Sequence, residues 1–437
     1  MCVCASNLVL LALLSFSIHY TRSAILVLCV YLLSAKQLTV TSYSYLLSLN
    51  YVPSILVPII IGVYLHREVD KTKRFFVLLI ALFLIIITSL SLSISMNHER
   101  FIPLILSMFI FSSASSVVIL IQRALTLENL SQGISYTSTS ASTGIAIAIG
   151  NIAKLLGKLT VVVLLELSSI DEVVLVVIII SLISFFSGIF LYNLDIASRI
   201  KRSQENNGEV DDNSAIMLSL ISPNFYSYAL IHSIVLSTFH LFNNSIPVLM
   251  VKDHNFSLLS TAIYGSLVSL IPSFTSPVIG YLMKNHSSYH LESCIIVAAF
   301  TYAGYLYLIA VDGRGYINPV VNVLVLSITQ SFLATITLSC SLDNLCIEKR
   351  YNNLFYTYAF AIMESLYSIM SVILTAIFGF LSSSNVATGD TVDGVVNASS
   401  LSIILYSYAL IAGLLLTLKV LQKYNSNFVY DQYMQIL

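Results

Sequence analysis

Apolar runs of about 20 residues recur along nearly the whole chain, and they constrain its fold more than any other feature. A helix rises about 1.5 Å per residue and the bilayer hydrocarbon is about 30 Å thick, so a run of that length crosses a membrane. Such runs fall near 5–22, 42–65, 74–96, 101–125, 133–165 and 173–195, and again near 224–250, 258–283, 291–311, 317–340, 354–382 and 399–421. A polar stretch at 196–221 separates the two sets and holds Arg199, Lys201, Arg202, Glu205, Glu209, Asp211 and Asp212. The pattern predicts an all-α polytopic membrane protein with about twelve transmembrane helices. Its halves are 1–195 and 222–421, joined by a cytoplasmic linker at 196–221 and followed by a cytoplasmic tail at 422–437. Charged residues make up 9% of the chain and hydrophobic ones 57%, where a soluble domain carries about 25% charged. No water-soluble core of this size hides so much apolar surface, so the lipid bilayer is the first partner.

The first run is the weakest. Its apolar character resumes after Arg22 at 24–33, too short to span alone, and this piece is expected to extend the helix beyond the bilayer. No basic residue precedes the run, which favours a spanning helix over a cleaved signal peptide. The net charge of −1 gives no reason to expect a nucleic-acid partner. Cys2, Cys4, Cys29, Cys294, Cys340 and Cys346 are scattered, without the spacing of a disulfide framework or a metal site. No cofactor is expected.

Basic residues set the expected orientation, because cytoplasmic loops collect them. With both termini and the linker inside, that side holds Arg67, Lys71, Lys73, Arg74, Arg123, Arg199, Lys201, Arg202, Lys284, Lys349, Arg350, Lys419 and Lys423. The outside then holds Arg22, Lys36, Arg100, Lys252 and Arg314. Two glycosylation sequons, at Asn255 and Asn397, fall in predicted outer loops and support this weakly.

The halves also repeat. Pro53, Pro58 and Gly62 in the second run reappear as Pro272, Pro277 and Gly280 in the eighth, displaced by 219, 219 and 218 positions. Only eight prolines exist in the chain, and four of them take part. A proline frees a backbone carbonyl and bends a spanning helix. The alternative is two ordinary membrane prolines in each half.

With these features the chain resembles the major facilitator superfamily, whose carriers are built from parallel six-helix repeats. The loop after the second helix in that family follows Gly-x-x-x-Asp-Arg with further basic residues. Here it reads Gly62-Val63-Tyr64-Leu65-His66-Arg67, then Asp70, Lys71, Lys73 and Arg74. The resemblance implies a conformational latch by charge pairing. His66 stands at the aspartate position, so that latch is either weaker or uses Asp70.

A narrower resemblance is to the lysosomal dipeptide transporter branch, major facilitator superfamily domain-containing protein 1. It rests on Tyr51-Val52-Pro53-Ser54 with Leu56-Val57-Pro58, on Ser116 through Gln122 with Glu128, on Leu194-Asp195 with Arg199, and on Phe242 with Pro247. The family's fourth-helix glutamate falls on Ser116 and its fifth-helix arginine on Ser142, ahead of Gly144. Those charges are expected to hold the ends of a dipeptide. Fold and transport class carry over by resemblance; dipeptide specificity does not.

An ionisable residue inside a spanning helix costs roughly 2.5–3.5 kcal/mol on insertion scales, so each one asks for a reason. Lys154 and Lys158 share a face of the fifth helix, with Gly150 and Gly157 leaving room beside them. They are placed either to bind an anion or to snorkel to the outer headgroups. Glu364 in the eleventh helix is placed to carry a proton, to pair with a substrate amine, or to bridge to a lysine. His232 and His240 lie on the seventh helix with Asn243 and Asn244, before an expected break at Pro247. Packing and proton exchange are both open to them. His19, Tyr20 and Arg22 close the first helix, Arg22 being either a cavity residue by resemblance or a marker of the water boundary. Gln122 and Gln330 are placed to bond substrate or another helix. The hydroxyl-rich stretch Ser135 to Thr143 reads as close packing first and as a polar cavity wall second.

The function this supports is secondary active transport of a small organic solute (amino acid, short peptide or other organic anion) by alternating access, with protons as a candidate coupling ion. The alternative is a non-transporting scaffold or accessory membrane subunit that keeps the carrier fold. No His-Glu-x-x-His, Gly-x-Ser-x-Gly or phosphate loop suggests an enzyme. The expected setting is a plasma membrane or a lysosome-like or vacuolar membrane.

Overall fold

The structure, a computed structural model, describes residues 2–34, 40–67, 71–97, 101–133, 139–203, 221–252, 256–283, 319–346 and 352–384, with the single positions 413 and 417. The expected ninth and twelfth spans, 291–311 and 399–421, lie outside these residues almost entirely. So do Asp70, most of the linker, both sequon asparagines and the C-terminal tail.

Eleven helices are described: α1 Cys2–Ser34, α2 Val40–Tyr51, α3 Pro53–Arg67, α4 Lys71–Asn97, α5 Phe101–Gly133, α6 Thr139–Leu167, α7 Ile170–Ser203, α8 Pro223–Lys252, α9 Leu258–Leu282, α10 Pro319–Asp343 and α11 Asn352–Ser384. They supply ten stretches long and apolar enough to cross a membrane. Large side chains such as Leu56, Ile60, Phe76, Ile102, Phe190 and Phe274 stand outward from the bundle. That surface suits lipid, where backbone polar groups are satisfied within each helix. Many hydroxyls also bond one turn back within their own helix, as Ser107 does to Pro103 at 2.7 Å and Ser327 to Val323 at 2.5 Å.

Several sequence expectations are corrected. The first helix is extended past Arg22 to Ser34 as expected, but the extension belongs to the membrane-crossing stretch Val9–Leu32 and does not lie beyond it. Arg22 therefore lies within the membrane-crossing stretch, not on the outer edge. Arg123, counted above among the inner loop charges, is likewise inside the span Ile102–Glu128 of α5. Helix α7 runs to Ser203, so the start of the segment read as linker is helical. No break precedes Pro247, because α8 passes through it to Lys252. One missing amide bond does not stop a helix held on both sides by regular turns.

The proline repeat is only partly a structural repeat. In the first half Val52 separates α2 from α3, since Pro53 offers no amide hydrogen and disfavours helical geometry in the residue before it. Around that bend the amides of Val52 and Ile55 bond three residues back, to Leu49 and Val52, at 3.3 and 3.2 Å. In the second half Pro272 and Pro277 sit inside the unbroken α9.

Burial divides the spans into layers. The spans of α1, α5, α8 and α10 have 78%, 72%, 72% and 71% of their residues buried, against 44% for α4 and 39% for α7. The former four are the central helices and enclose the interior; α4 and α7 present more of their surface outward, as does α6 at 44%, although one face of α6 lines the interior. The halves meet along two seams, α6 against α9 and α2 with α3 against α11. Each seam is close because one helix presents a glycine. A Cβ on Gly62 would collide with the Ala361 Cβ, and one on Gly144 with the backbone carbonyl of Ser276. Near where α7 ends and α8 begins, here called the linker end, the Ser222 amide bonds the Leu345 carbonyl at 2.9 Å.

Candidate functional site

The central helices surround a cavity of about 90 Å³. It extends from the middle of the bundle towards the linker end, as far as Leu127, Thr143 and Leu338. A smaller cavity of about 40 Å³ lies on the far side, lined by Cys29, Asn50, Tyr51, Asn243 and Asn244 among others. Arg22, Lys154 and His240 line both, so these side chains form a layer between the two chambers.

Most of the polar residues singled out in the sequence reach the larger cavity. Arg22, Gln122, Lys154, His232, His240, Gln330 and Glu364 line it, with His19 and Arg123. Arg22 arrives from α1, where its guanidinium donates to Ser115 Oγ at 3.3 Å while its Nε finds no partner among the described residues. Glu364 is buried, and its nearest cation is Arg123 at 3.7 Å, not a lysine. Its other oxygen, Oε1, has no hydrogen-bond partner among the described residues. Arg123 also lies over the Phe360 ring, 5.9 Å from its centre. Sequence reasoning missed Arg123 as a site residue because it closes an apolar run. The signal was present: Ala124, Leu125 and Leu127 resume the apolar pattern before Glu128.

Other candidates are committed to packing. Gln122 donates to Thr126 Oγ1 one turn on, at 3.2 Å. His232 lines the cavity but its Nδ1 is bonded to Thr337 Oγ1 at 2.8 Å, joining α8 to α10. Tyr20 is buried against Phe16 and shares a hydrogen bond with Thr160 at 2.6 Å. Gly150 and Gly157 do not leave open room beside the lysines. Their missing side chains admit α1: a Cβ on Gly150 would come within 2.9 Å of the His19 ring, and one on Gly157 within 2.9 Å of the Tyr20 carbonyl.

Lys158 does not snorkel. It is 3% exposed, and its ammonium donates to Asn243 Oδ1 at 2.8 Å and to the Gly265 carbonyl at 2.9 Å, tying the first half to the second. Nearby, Tyr43 donates to the Asn244 carbonyl at 2.9 Å, and Tyr51 meets Tyr367 hydroxyl to hydroxyl at 3.3 Å. His240 packs edge-on against that Tyr367 ring, 5.4 Å away. These contacts join the two halves on the far side of the main cavity.

The loop-motif residues divide. Gly62 serves the α3–α11 seam, Arg67 ends α3, and Asp70 lies outside the described residues. Arg74 of the basic cluster grips Glu128 with contacts of 3.0 and 3.2 Å. That pair joins α4 to α5 within one half. Ser116, at the dipeptide branch's glutamate position, bonds the Ser113 carbonyl of its own helix at 2.9 Å.

A polar, charged cavity enclosed by two packed sets of membrane-crossing helices is the architecture of a multi-pass membrane carrier for small solutes. The chain belongs to the Major Facilitator Superfamily, whose family model matches residues 11–373. It is accordingly a secondary transporter by class. In fold it is similar to the human organic anion transporter MFSD10 (TETRAN), with TM-score 0.60 and 11% identity, over 94% of this chain and 99% of that one. It is also similar to a variant of the E. coli fucose:proton symporter FucP, with TM-score 0.54 and 12% identity over the same shares. No curated protein matches the chain by sequence.

Proposed function

We propose that this chain carries a small organic anion across a membrane by alternating access, with proton coupling through Glu364. The observation that supports it is the charge balance of the main cavity. Three cations, Arg22, Arg123 and Lys154, face it, against the single carboxylate of Glu364. Cations lining a cavity between low-dielectric helices attract an anion more strongly than they would at an open surface. The Arg123–Glu364 pair supplies a coupling device: protonating Glu364 cancels its hold on Arg123 and frees that guanidinium for the solute. Fold likeness to an organic anion transporter and a proton symporter is in keeping with this, but at such low identity the cavity carries the reading. Ser116 speaks against a dipeptide held as in the lysosomal branch, since that side chain is turned to its own helix. Cytoplasmic termini, and a plasma or lysosome-like membrane, are part of the same proposal.

The test is uptake of labelled mono- and dicarboxylates into proteoliposomes, with the pH gradient varied. Arg22→Gln and Lys154→Gln are each expected to lower uptake about tenfold or more, the scale of losing one charge-assisted contact. Absence of flux and of binding across a broad anion panel would sink the proposal and favour a scaffold that keeps the carrier fold.

A further inference from the structure

The wall of the main cavity is chemically divided between the two halves. Its cations come from α1, α5 and α6. The second half contributes His232 and His240 from α8, the Glu364 carboxylate from α11, and the neutral Gln330 from α10 and Ser276 from α9. Gln330 is 2% exposed, and neither its Oε1 nor its Nε2 has a hydrogen-bond partner among the described residues. Ser276 is fully buried, and its Oγ too has no hydrogen-bond partner among the described residues. Its neighbours behave otherwise: Ser273 and Thr275 bond back to carbonyls one turn earlier, at 2.7 and 2.8 Å. An unpaired buried polar group is unfavourable, so a cavity wall that keeps several is one that a ligand completes.

Gln330 offers a donor, Nε2, and an acceptor, Oε1, side by side on one carbon. A neutral planar amide satisfies both at once, and the Ser276 hydroxyl can add a third bond of either sense. A second positive charge on the solute suits this wall poorly. The cavity already has more cations than acids, and the one carboxylate is engaged by Arg123 at 3.7 Å.

We infer that the carried solute is an organic anion whose other end is an uncharged amide-like group, the acid held by Arg22 and Lys154 and the amide by Gln330 with Ser276. This rests on the anion reading above and names the other half of its ligand. Such a solute touches both halves of the carrier, so its two ends report separately on the two sets of residues.

The experiment uses the full chain in proteoliposomes and three matched series of carboxylates of increasing length. These are alkanoates such as pentanoate, ω-carboxamido acids such as succinamate and glutaramate, and ω-amino acids such as 4-aminobutanoate. Binding is read by competition and transport by uptake. The amide acids are expected to surpass alkanoates of equal length by about tenfold or more, since a site built to bond a polar group rejects analogues lacking it. Gln330→Leu should remove that advantage, weakening the amide acids and leaving alkanoates bound as tightly or more so because no buried amide is then left unpaired, and Ser276→Ala should reduce it by a smaller factor. Equal affinity for amide acids and alkanoates, preference for ω-amino acids, or an advantage that survives both substitutions overturns the inference and leaves the anion reading standing. If no carboxylate of any series binds while the variants stay folded, the anion reading falls and this inference with it.

Discussion

At the scale of single residues, the site turns on how charges are partnered. Glu364 and Arg123 lie 3.7 Å apart in the cavity wall, while Lys158 is held away from it by Asn243 and Gly265. Glu364→Gln should therefore leave anion exchange intact but abolish its stimulation by a proton gradient, measured as uptake with and without an imposed pH difference. Gradient dependence that persists in this variant would place the coupling group elsewhere. Much of the residue set was legible in the sequence, because an ionisable or amide side chain within an apolar run has few other reasons to be there. Two were misplaced for a common reason. Arg22 and Arg123 each stand where an apolar run pauses, and hydropathy alone does not separate a charge at the membrane edge from one aimed inward. The helix register decides that, and it needs the neighbouring helices.

At the scale of elements, the seams between the halves depend on two glycines that face different obstacles. Gly62 opposes the Ala361 side chain, whereas Gly144 opposes the backbone of Ser276 and Pro277. Gly62→Ala is expected to destabilise the protein by about 1–3 kcal/mol, as overpacking does. Pairing it with Ala361→Gly should recover most of the loss in thermal melts in detergent. Gly144→Ala has no such side-chain remedy, so Ala361→Gly should not rescue it. Lys158 is the second device at this scale. Lys158→Met removes the charged tie across the far side, so Cys29, which lines the far chamber and is 1% exposed, should become reactive. In a variant retaining Cys29 as its sole cysteine, maleimide labelling should speed up about tenfold or more, the loss of a hydrogen bond to a charged group amounting to about 1.5–3 kcal/mol. An unchanged rate would mean the far side is closed by packing alone. The sequence pointed to these elements unevenly. The proline repeat matched α3 with α9, but did not show that they lie at the seams, nor that the first is broken from α2 at Val52 while the second is continuous.

At the scale of the whole molecule, the central position of α1, α5, α8 and α10 makes the interior a shared product of both halves. The proposed topology predicts that tags at the N-terminus and in the linker are reached from the cytoplasmic side only. An engineered acceptor site in the stretch between α8 and α9 should be modified from the opposite side. Labelling of the N-terminus and the linker from opposite sides would overturn that topology.

The sequence by itself determined that the chain lives in a bilayer, that it is helical, that it falls into two halves around a polar segment, and most of the polar residues at membrane depth, Arg22 and Arg123 excepted. Those follow from run lengths and the cost of exposing polar groups to lipid, which are local properties. Only the tertiary structure decided what each polar residue meets. Lys154 faces the main cavity while Lys158, one turn away, is a strut between halves; Arg123 lines that cavity, Tyr20 does not, and the glycines beside the lysines admit α1. A run of apolar residues fixes the depth of a side chain, but its partners come from helices far along the chain, and no local pattern records them.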